Sequence, residues 1–292
     1  MSVSQDFETL CNNLVIRNGA LISSRYQSIT ARLNKDFHAI DSYVQNTIQV
    51  GSYGRDTAIV DAHDVDVLFK LPFSVYQQYN GYLSNGQSAL LQAVRNSIQR
   101  TYPSTAVGGD GQVVVVSFAD QMRFEVLPAF LNSDSISYTH ADSNNGGSWK
   151  TTNPQAEINE IHRLNGLYNK NLKRLCRMAR AWRRHCGVQL SGIQIDTLAA
   201  QFMASWGYKD KSYLYYDYLT RDFMKYLADQ DKTQVYWRAP GSGSFVWRKG
   251  PFEAKAGAAY QAALEGTDLY AKNKTTAARG KFREIYGNNY PR

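Results

Sequence analysis

Apolar positions recur at every second residue in several stretches of the first half of the chain, and at every third or fourth residue through most of the second. His63-Asp-Val-Asp-Val-Leu-Phe-Lys-Leu71 alternates Val65, Val67 and Phe69 with Asp64 and Asp66, which predicts a strand carrying both carboxylates on one face. Gln112–Phe118 is a β-branched run, Ala119–Gln121 a short turn, and Met122–Leu127 a further strand running into Pro128. Thr47–Val50 reads as a first strand that ends at a Gly51-Ser52 turn. Asp6–Phe37 is mostly helical, with Leu10, Leu14, Leu21 and Ile22 among its apolar positions and Gly19 interrupting it. Ala89–Tyr102 is the next helix, and residues 132–153 form a long loop of Ser, Asp, Asn and Gly.

From Pro154 onward the pattern is helical, with candidates at Gln155–Cys186, Ile193–Trp206, Tyr213–Asp229, Phe252–Lys272 and Thr275–Tyr286. A turn-rich segment, Trp237-Arg-Ala-Pro-Gly-Ser-Gly243, separates the third from the fourth. The first of these helices is two-sided. Lys170, Lys173, Arg177, Arg180 and Arg184 recur at steps of three and four, while Leu164, Tyr168, Leu175, Ala179, Trp182 and Cys186 follow the same rhythm on the other side. The order predicts an α+β protein with two parts: a mixed-sheet core with helices over residues 1–153 and a helical lobe over 154–292, the N-terminal helix belonging to both.

The candidate chemistry lies in the strands. Asp64 and Asp66 supply paired hard oxygen ligands, and Glu125 places a third carboxylate inside an apolar strand, where a charge is costly unless paired or coordinating a metal. Gly51 lets the backbone approach a phosphate closely, and the Ser52 hydroxyl can donate to a phosphate oxygen. Together they describe a site for divalent cations and a nucleoside triphosphate. The plain alternatives are a Gly-Ser turn before an edge strand with two solvated aspartates, and an edge-strand Glu125 paired with Arg123.

Gly51-Ser52-Tyr53, the Asp64-x-Asp66 pair and Phe124-Glu-Val-Leu-Pro-Ala129 resemble the signature of polymerase-β-type nucleotidyltransferases. Within that superfamily the chain resembles the bacterial cGAS/DncV-like nucleotidyltransferases (CD-NTases), as do Ile195-Asp-Thr-Leu-Ala199 and the closing run Lys281-Phe-Arg-Glu-Ile-Tyr-Gly-Asn-Asn-Tyr-Pro291. The resemblance implies a polymerase-β-like core packed against a helical lobe. It implies two Mg²⁺ ions (Mn²⁺ being the alternative) held by Asp64, Asp66 and Glu125, and nucleoside triphosphates, ATP or GTP first, as substrates. It further implies a cyclic di- or trinucleotide second messenger, released with pyrophosphate in bacterial anti-phage signalling and acting on a separate effector. Relatives place a Lys on the basic helix against the donor phosphates; the matching position here is Arg180, in Arg180-Ala-Trp182. They often open the next helix with a Ser-aromatic pair; Ser191 matches the serine, but Gly192 follows it, which leaves Tyr53 or the Tyr213–Tyr218 cluster to stack on a base.

Composition narrows the remaining choices. No run among the 292 residues is long enough to span a bilayer, and the N-terminus lacks the basic and apolar regions of a signal peptide, so a cytoplasmic protein is expected. Three cysteines without a CxxC pair argue against a disulfide scaffold. His185-Cys186 has no second ligand pair at finger spacing, so no structural zinc is expected, and the zinc-bearing insertion of animal cyclic GMP–AMP synthase has no counterpart. A net charge of +8 implies an anionic partner without naming it. A nucleic-acid activator is not expected; constitutive activity or control by a protein partner is. The rival functions are a linear oligonucleotide- or RNA-tailing transferase, and a non-catalytic nucleotide or nucleic-acid binding module.

Overall fold

In a computed structural model, which describes residues 2–60 and 62–292, the chain forms two compact units. One comprises Met1–Ile16, Arg55–Val60 and Asn159–Arg292; the other comprises Arg17–Gly54 and Asp61–Ile158. The helical unit thus takes in the N-terminus and a short excursion after residue 54, in addition to the C-terminal half.

The predicted N-terminal helical stretch is two helices, α1 (Val3–Asn13) and α2 (Gly19–Phe37). Ser2 opens α1 with a capping box, its Oγ accepting from the Gln5 N–H while Gln5 Oε1 accepts from the Ser2 N–H. The sheet unit continues with β1 (Thr47–Gln49), the single helical turn α3 (Gly51–Gly54), β2 (Asp64–Lys70), α4 (Phe73–Asn80) and α5 (Gly86–Thr101). Then come β3 (Ala106–Asp110), β4 (Val113–Ser117), β5 (Arg123–Leu131), β6 (Tyr138–Asp142) and β7 (Ser148–Thr152). The strand order is β1-β2-β5-β4-β3, with β6 on the far half of β5 and β7 beside it. Among the described residues of this sheet only β2 and β5 run parallel.

One face of this sheet is apolar across its central strands. Val65, Phe124 and Val116 lie side by side across β2, β5 and β4, as do Val67, Val126 and Val114, and all six are buried. Helix α2 packs on β2 and α5 on β3 and β4, burying Ile29 and Leu33 of the first and Leu90, Val94 and Ile98 of the second. The other face carries an apolar cluster at one end, where Val50, Leu68 and Ala129 meet Ile158.

Two expectations for this unit need correction. Strand β5 does not stop at Pro128 but continues to Leu131. Pro128 falls where the antiparallel neighbour changes from β4, paired through Val126, to β6, paired from Ala129, a place where a missing N–H is tolerated. The expected loop over 132–153 contains the β6–β7 hairpin, turned at Gly146 and Gly147 with φ of 87° and 90°. Its polar, hydroxyl-rich strands carry no apolar alternation to reveal them.

The helical unit contains α6 (Pro154–Leu167) from Asn159 onward, α7 (Asn171–His185), α8 (Gly192–Ser205), α9 (Tyr216–Ala228), the hairpin β8 (Tyr236–Arg238) and β9 (Phe245–Trp247), α10 (Glu253–Ala271) and α11 (Thr275–Tyr286). The single helix expected over Gln155–Cys186 is broken, because Asn169 and Lys170 both adopt left-handed φ, 48° and 63°. Buried Asn171 fixes the break: its Nδ2 donates to the Lys209 and Lys211 carbonyls, and its Oδ1 accepts from the Tyr216 hydroxyl at 2.6 Å. The apolar side of the expected stripe does enter the core at Tyr168, Leu175, Ala179 and Trp182.

Helix α1 is bound to the C-terminal segment. Phe7 packs edge-on against Phe282 and Tyr290, at 5.0 and 5.2 Å between ring centroids. Buried Asp6 accepts two hydrogen bonds from Arg279, at 2.8 and 2.9 Å, and one from the Tyr270 hydroxyl at 2.7 Å. Among the described residues no helix is long and apolar enough to cross a membrane.

Asp196 of α8 is the polar centre of this unit. Its side chain is wholly buried and accepts from Arg55 Nε at 2.8 Å, Thr57 Oγ1 at 3.0 Å, and Arg180 Nη1 and Nη2 at 2.6 and 2.8 Å. Burial opposes ionisation of this carboxyl, but Arg180 and Arg55 overcome it and hold the group well below the usual carboxylate range. Its stabilising contribution is therefore complete above the unfolded-state value near pH 4 and is lost as the pH falls below it, toward the native value. Asp196→Asn should lower stability by about 3–5 kcal/mol at neutral pH, because two buried guanidinium groups lose their counter-charge. Urea melts at pH 7 and pH 3 check this: the wild type should move toward the variant at the lower pH, and equal stability at pH 7 contradicts it.

Candidate active site

The polar face of the sheet carries the predicted carboxylates. In the parallel pairing of β2 with β5, Asp64 stands opposite Arg123 and Asp66 opposite Glu125. Neighbouring residues on paired strands point the same way, so Asp64, Asp66, Arg123 and Glu125 form a two-by-two block on one face. The block continues across β4 and β3 as Ser117 and Ala106 in one row, and Val115 and Gly108 in the other. β5 lies between β2 and β4, so Glu125 stands on an interior strand and not on the edge strand of the plain alternative.

The pairing with Arg123 is nevertheless present. Arg123 Nη2 lies 3.4 Å from Glu125 Oε1, and Nε lies 3.9 Å from Asp64 Oδ1. Asp64 is the most open of the carboxylates, its side chain 61% exposed, against 30% for Glu125. Partial burial, and after it the Asp64 charge, pushes the Glu125 carboxyl above its ordinary value, while Arg123 pulls it back. A carboxylate so crowded by like charge gains from any added cation. The donor set, three hard oxygen carboxylates on adjacent strands about 4.8 Å apart, therefore fits a divalent ion. As the side chains stand, however, no group of three acidic, His or Cys residues among those described is gathered closely enough to hold a metal. Converging on one ion requires the carboxylates to turn about their side-chain bonds, with Arg123 giving way.

Gly51 begins the turn α3 immediately after β1. The Val50 N–H donates to the Asp66 carbonyl at 2.9 Å, which sets this turn directly against β2. Gly51 has φ of 59°, and a Cβ added there would fall on the Asp66 carboxylate. Backbone conformation and space both require glycine at this position. Ser52 follows, half-buried, on the same turn. Tyr53 donates to the Ala62 carbonyl at 3.1 Å, and burial first, then Asp64 and Asp66, pushes its phenol upward, which places the ring beside the carboxylates.

On the β3–β4 side the block opens into a cleft of about 600 Å³, bordered by Arg95, Gln99, Gly108, Asp110, Ser117 and Arg123. Sequence reasoning missed this border. Its only signal was Gly108-Gly109-Asp110, whose glycines have open space where side chains would stand.

The remaining candidates lie in the helical unit. The expectation that Arg180 faces a triphosphate needs correction. Its side chain is 4% exposed, and besides Asp196 it donates to the Cys176 and Gly192 carbonyls, so its guanidinium is fully engaged inside the protein. Three others of the expected basic stripe are also occupied, Lys173 and Arg177 by Asp56 and Arg184 by the Val60 carbonyl, while Lys170 is exposed at the break before α7. Ser191 is the N-cap of α8 in a capping box with Gln194. Its Oγ acts there as acceptor, which leaves the hydroxyl proton able to donate. Of the tyrosine cluster, Tyr216 is core, while Tyr215 stacks on Tyr208 at 5.0 Å.

Gly51→Ala should destabilise the protein by more than the roughly 1–2 kcal/mol of left-handed strain, because the new methyl also displaces the Asp66 carboxylate. Ser52→Ala, on the same turn, should leave stability nearly unchanged. Thermal melts of the two variants check this, and an unaffected Gly51→Ala protein contradicts the geometry.

Residues 1–165 match the family model described as the Second Messenger Oligonucleotide or Dinucleotide Synthetase domain. None of the curated proteins compared matches the chain. Solved structures match over almost its whole length. An Escherichia coli MS115-1 CdnC:HORMA-deltaN complex has 14% identity, a TM-score of 0.68, and coverage of 99% of both chains. Bradyrhizobium diazoefficiens CD-NTase CdnG in complex with GTP has 11% identity and a TM-score of 0.67, with 98% of this chain and 96% of that one covered. Vibrio cholerae DncV cyclic AMP-GMP synthase, with the linear intermediate 5′ pppA(3′,5′)pG, has 13% identity and a TM-score of 0.66, with 99% and 87% covered. Matched over more than half its length, the chain belongs to the second-messenger oligonucleotide or dinucleotide synthetase family of nucleotidyltransferases, and it shares its fold with solved CD-NTase structures.

Proposed function

We propose that the enzyme joins nucleoside triphosphates, ATP or GTP, into a cyclic di- or trinucleotide and releases pyrophosphate, and that the product is a second messenger of bacterial anti-phage signalling acting on a separate effector. The observation that carries this reading is the block of Asp64, Asp66 and Glu125 on one sheet face beside the Gly51-Ser52 turn. Solved CD-NTase relatives hold ATP in one case, GTP in another and a linear dinucleotide intermediate in a third, which supports the substrate class.

Asp64, Asp66 and Glu125 would hold two Mg²⁺ ions, or Mn²⁺. When bound, such ions lower the pKa of an attacking hydroxyl and neutralise a leaving pyrophosphate. The protein's own contribution is placement. The backbone of the Gly51–Gly54 turn and the Ser52 hydroxyl bind and orient the donor phosphates. The rigid pairing of β2 with β5 holds the carboxylate backbones in fixed register, so that only side-chain rotation is needed to reach the reactive arrangement. No covalent enzyme intermediate is required. The E. coli relative in complex with HORMA-deltaN supports control by a protein partner as the form of regulation to test first.

Incubating the protein with the four nucleoside triphosphates and Mg²⁺, followed by phosphatase and mass spectrometry, tests this function. Phosphatase-resistant cyclic products are expected; extension only of added RNA would establish the tailing reading. The Asp64→Ala/Asp66→Ala double variant should lose pyrophosphate release at least roughly a hundredfold. Undiminished release by that variant would remove these carboxylates from the chemistry and leave the assignment without its carrying observation.

A further inference from the structure

Arg123 is held in an unusual way for an arginine among carboxylates. It precedes Glu125 by two residues on β5, so it rises from the same face, and the register sets it directly opposite Asp64. Well-made arginine–carboxylate pairs place forked N–H groups about 2.8 Å from the oxygens, as Arg180 does on Asp196. Arg123 does not: its approaches are 3.4 Å to Glu125 and 3.9 Å to Asp64, and its buried Nε has no hydrogen-bond partner. The guanidinium is therefore kept in place by the field of the carboxylates and not by bonds specific to it. Its side chain is 43% exposed and borders the cleft formed by Gly108, Asp110 and Ser117, so an alternative position is open to it.

From this geometry we infer that Arg123 is the resident counter-cation of the site: it offsets Asp64 and Glu125 when no divalent ion is present and is displaced toward the β3–β4 cleft when one binds, so that each ion enters in competition with it. The inference rests on the proposed metal-binding role of the three carboxylates and adds a positioning residue to it. An arginine serving only to brace the sheet would make close, directional bonds and would have no reason to leave its Nε unsatisfied. A guanidinium stays charged throughout the working pH range, so the competition cannot be relieved by deprotonation and requires the side chain to move.

Titrating Mn²⁺ into the metal-stripped full-length protein, with the free ion read by electron paramagnetic resonance, tests this directly. Wild type, R123Q, R123M, R123K and the D64A/D66A double variant are compared, with melting temperatures taken without metal. R123Q and R123M should bind Mn²⁺ roughly tenfold more tightly, because the cation that competes with the ion for Asp64 and Glu125 is removed, an effect that solvent screening reduces but does not abolish. Both should also melt lower without metal and recover when Mn²⁺ is added. R123K, which keeps the charge, should stay near wild type. Unchanged or weaker Mn²⁺ binding by R123Q and R123M, with wild-type binding intact and lost in D64A/D66A, overturns the role of Arg123 alone. Absence of saturable wild-type binding dependent on Asp64 and Asp66 overturns the metal-binding reading and this inference with it.

Discussion

Like charges gathered on one face of a rigid sheet constrain everything else in the site. Asp64, Asp66 and Glu125 are brought together by the parallel pairing of β2 with β5, which the buried Val65, Val67, Phe124 and Val126 of the opposite face hold in register. A slip of one residue would turn the carboxylates into the core and those side chains into solvent. Register is thus set by apolar burial, and the electrostatic cost of the carboxylate block is carried by the same packing. Burial first and the Asp64 charge second raise the Glu125 carboxyl, and Arg123 is drawn between two carboxylates without a well-formed bond to either.

The helical unit deals with buried charge in the opposite manner. Asp196 is satisfied by two arginines and a threonine at hydrogen-bonding distance, and Asp6 by Arg279 and Tyr270. Both sites tie distant parts of the chain: Asp196 fixes the 55–60 excursion to α7 and α8, and Asp6 fixes the N-terminal helix to the last two helices. A saturated charge network suits a scaffold. An unsaturated one suits a place where a ligand is to be admitted. The contrast between Arg180 and Arg123 separates the two roles more clearly than exposure does.

Much of this was legible along the chain. The two-residue alternation in 63–71 gave the strand and put both aspartates on one side, and the boundaries expected for the last helix, Thr275–Tyr286, are those observed. Glu125 was conspicuous as a carboxylate in the middle of a largely apolar strand. What could not be read depended on partners far away in sequence. Arg180 falls in step with four other basic residues, so its period suggested a solvent-facing stripe, yet its partner lies one helix later at Asp196. The break at Asn169 and Lys170 is fixed by carbonyls some forty residues on, and so a continuous helical rhythm concealed it. The β6–β7 hairpin was hidden by its own polarity, since a strand with few apolar side chains has no alternation to display.

The central claim is a specific spatial event: the carboxylates of Asp64, Asp66 and Glu125 rotate to a common centre when a divalent ion and a nucleotide are present. Anomalous diffraction from crystals grown with Mn²⁺ and a non-hydrolysable nucleoside triphosphate observes that event most directly. The account predicts manganese within about 2.1 Å of oxygens from all three carboxylates, with the phosphates against Gly51 and Ser52. Manganese bound elsewhere, or Glu125 still facing Arg123 with nucleotide in place, would contradict it.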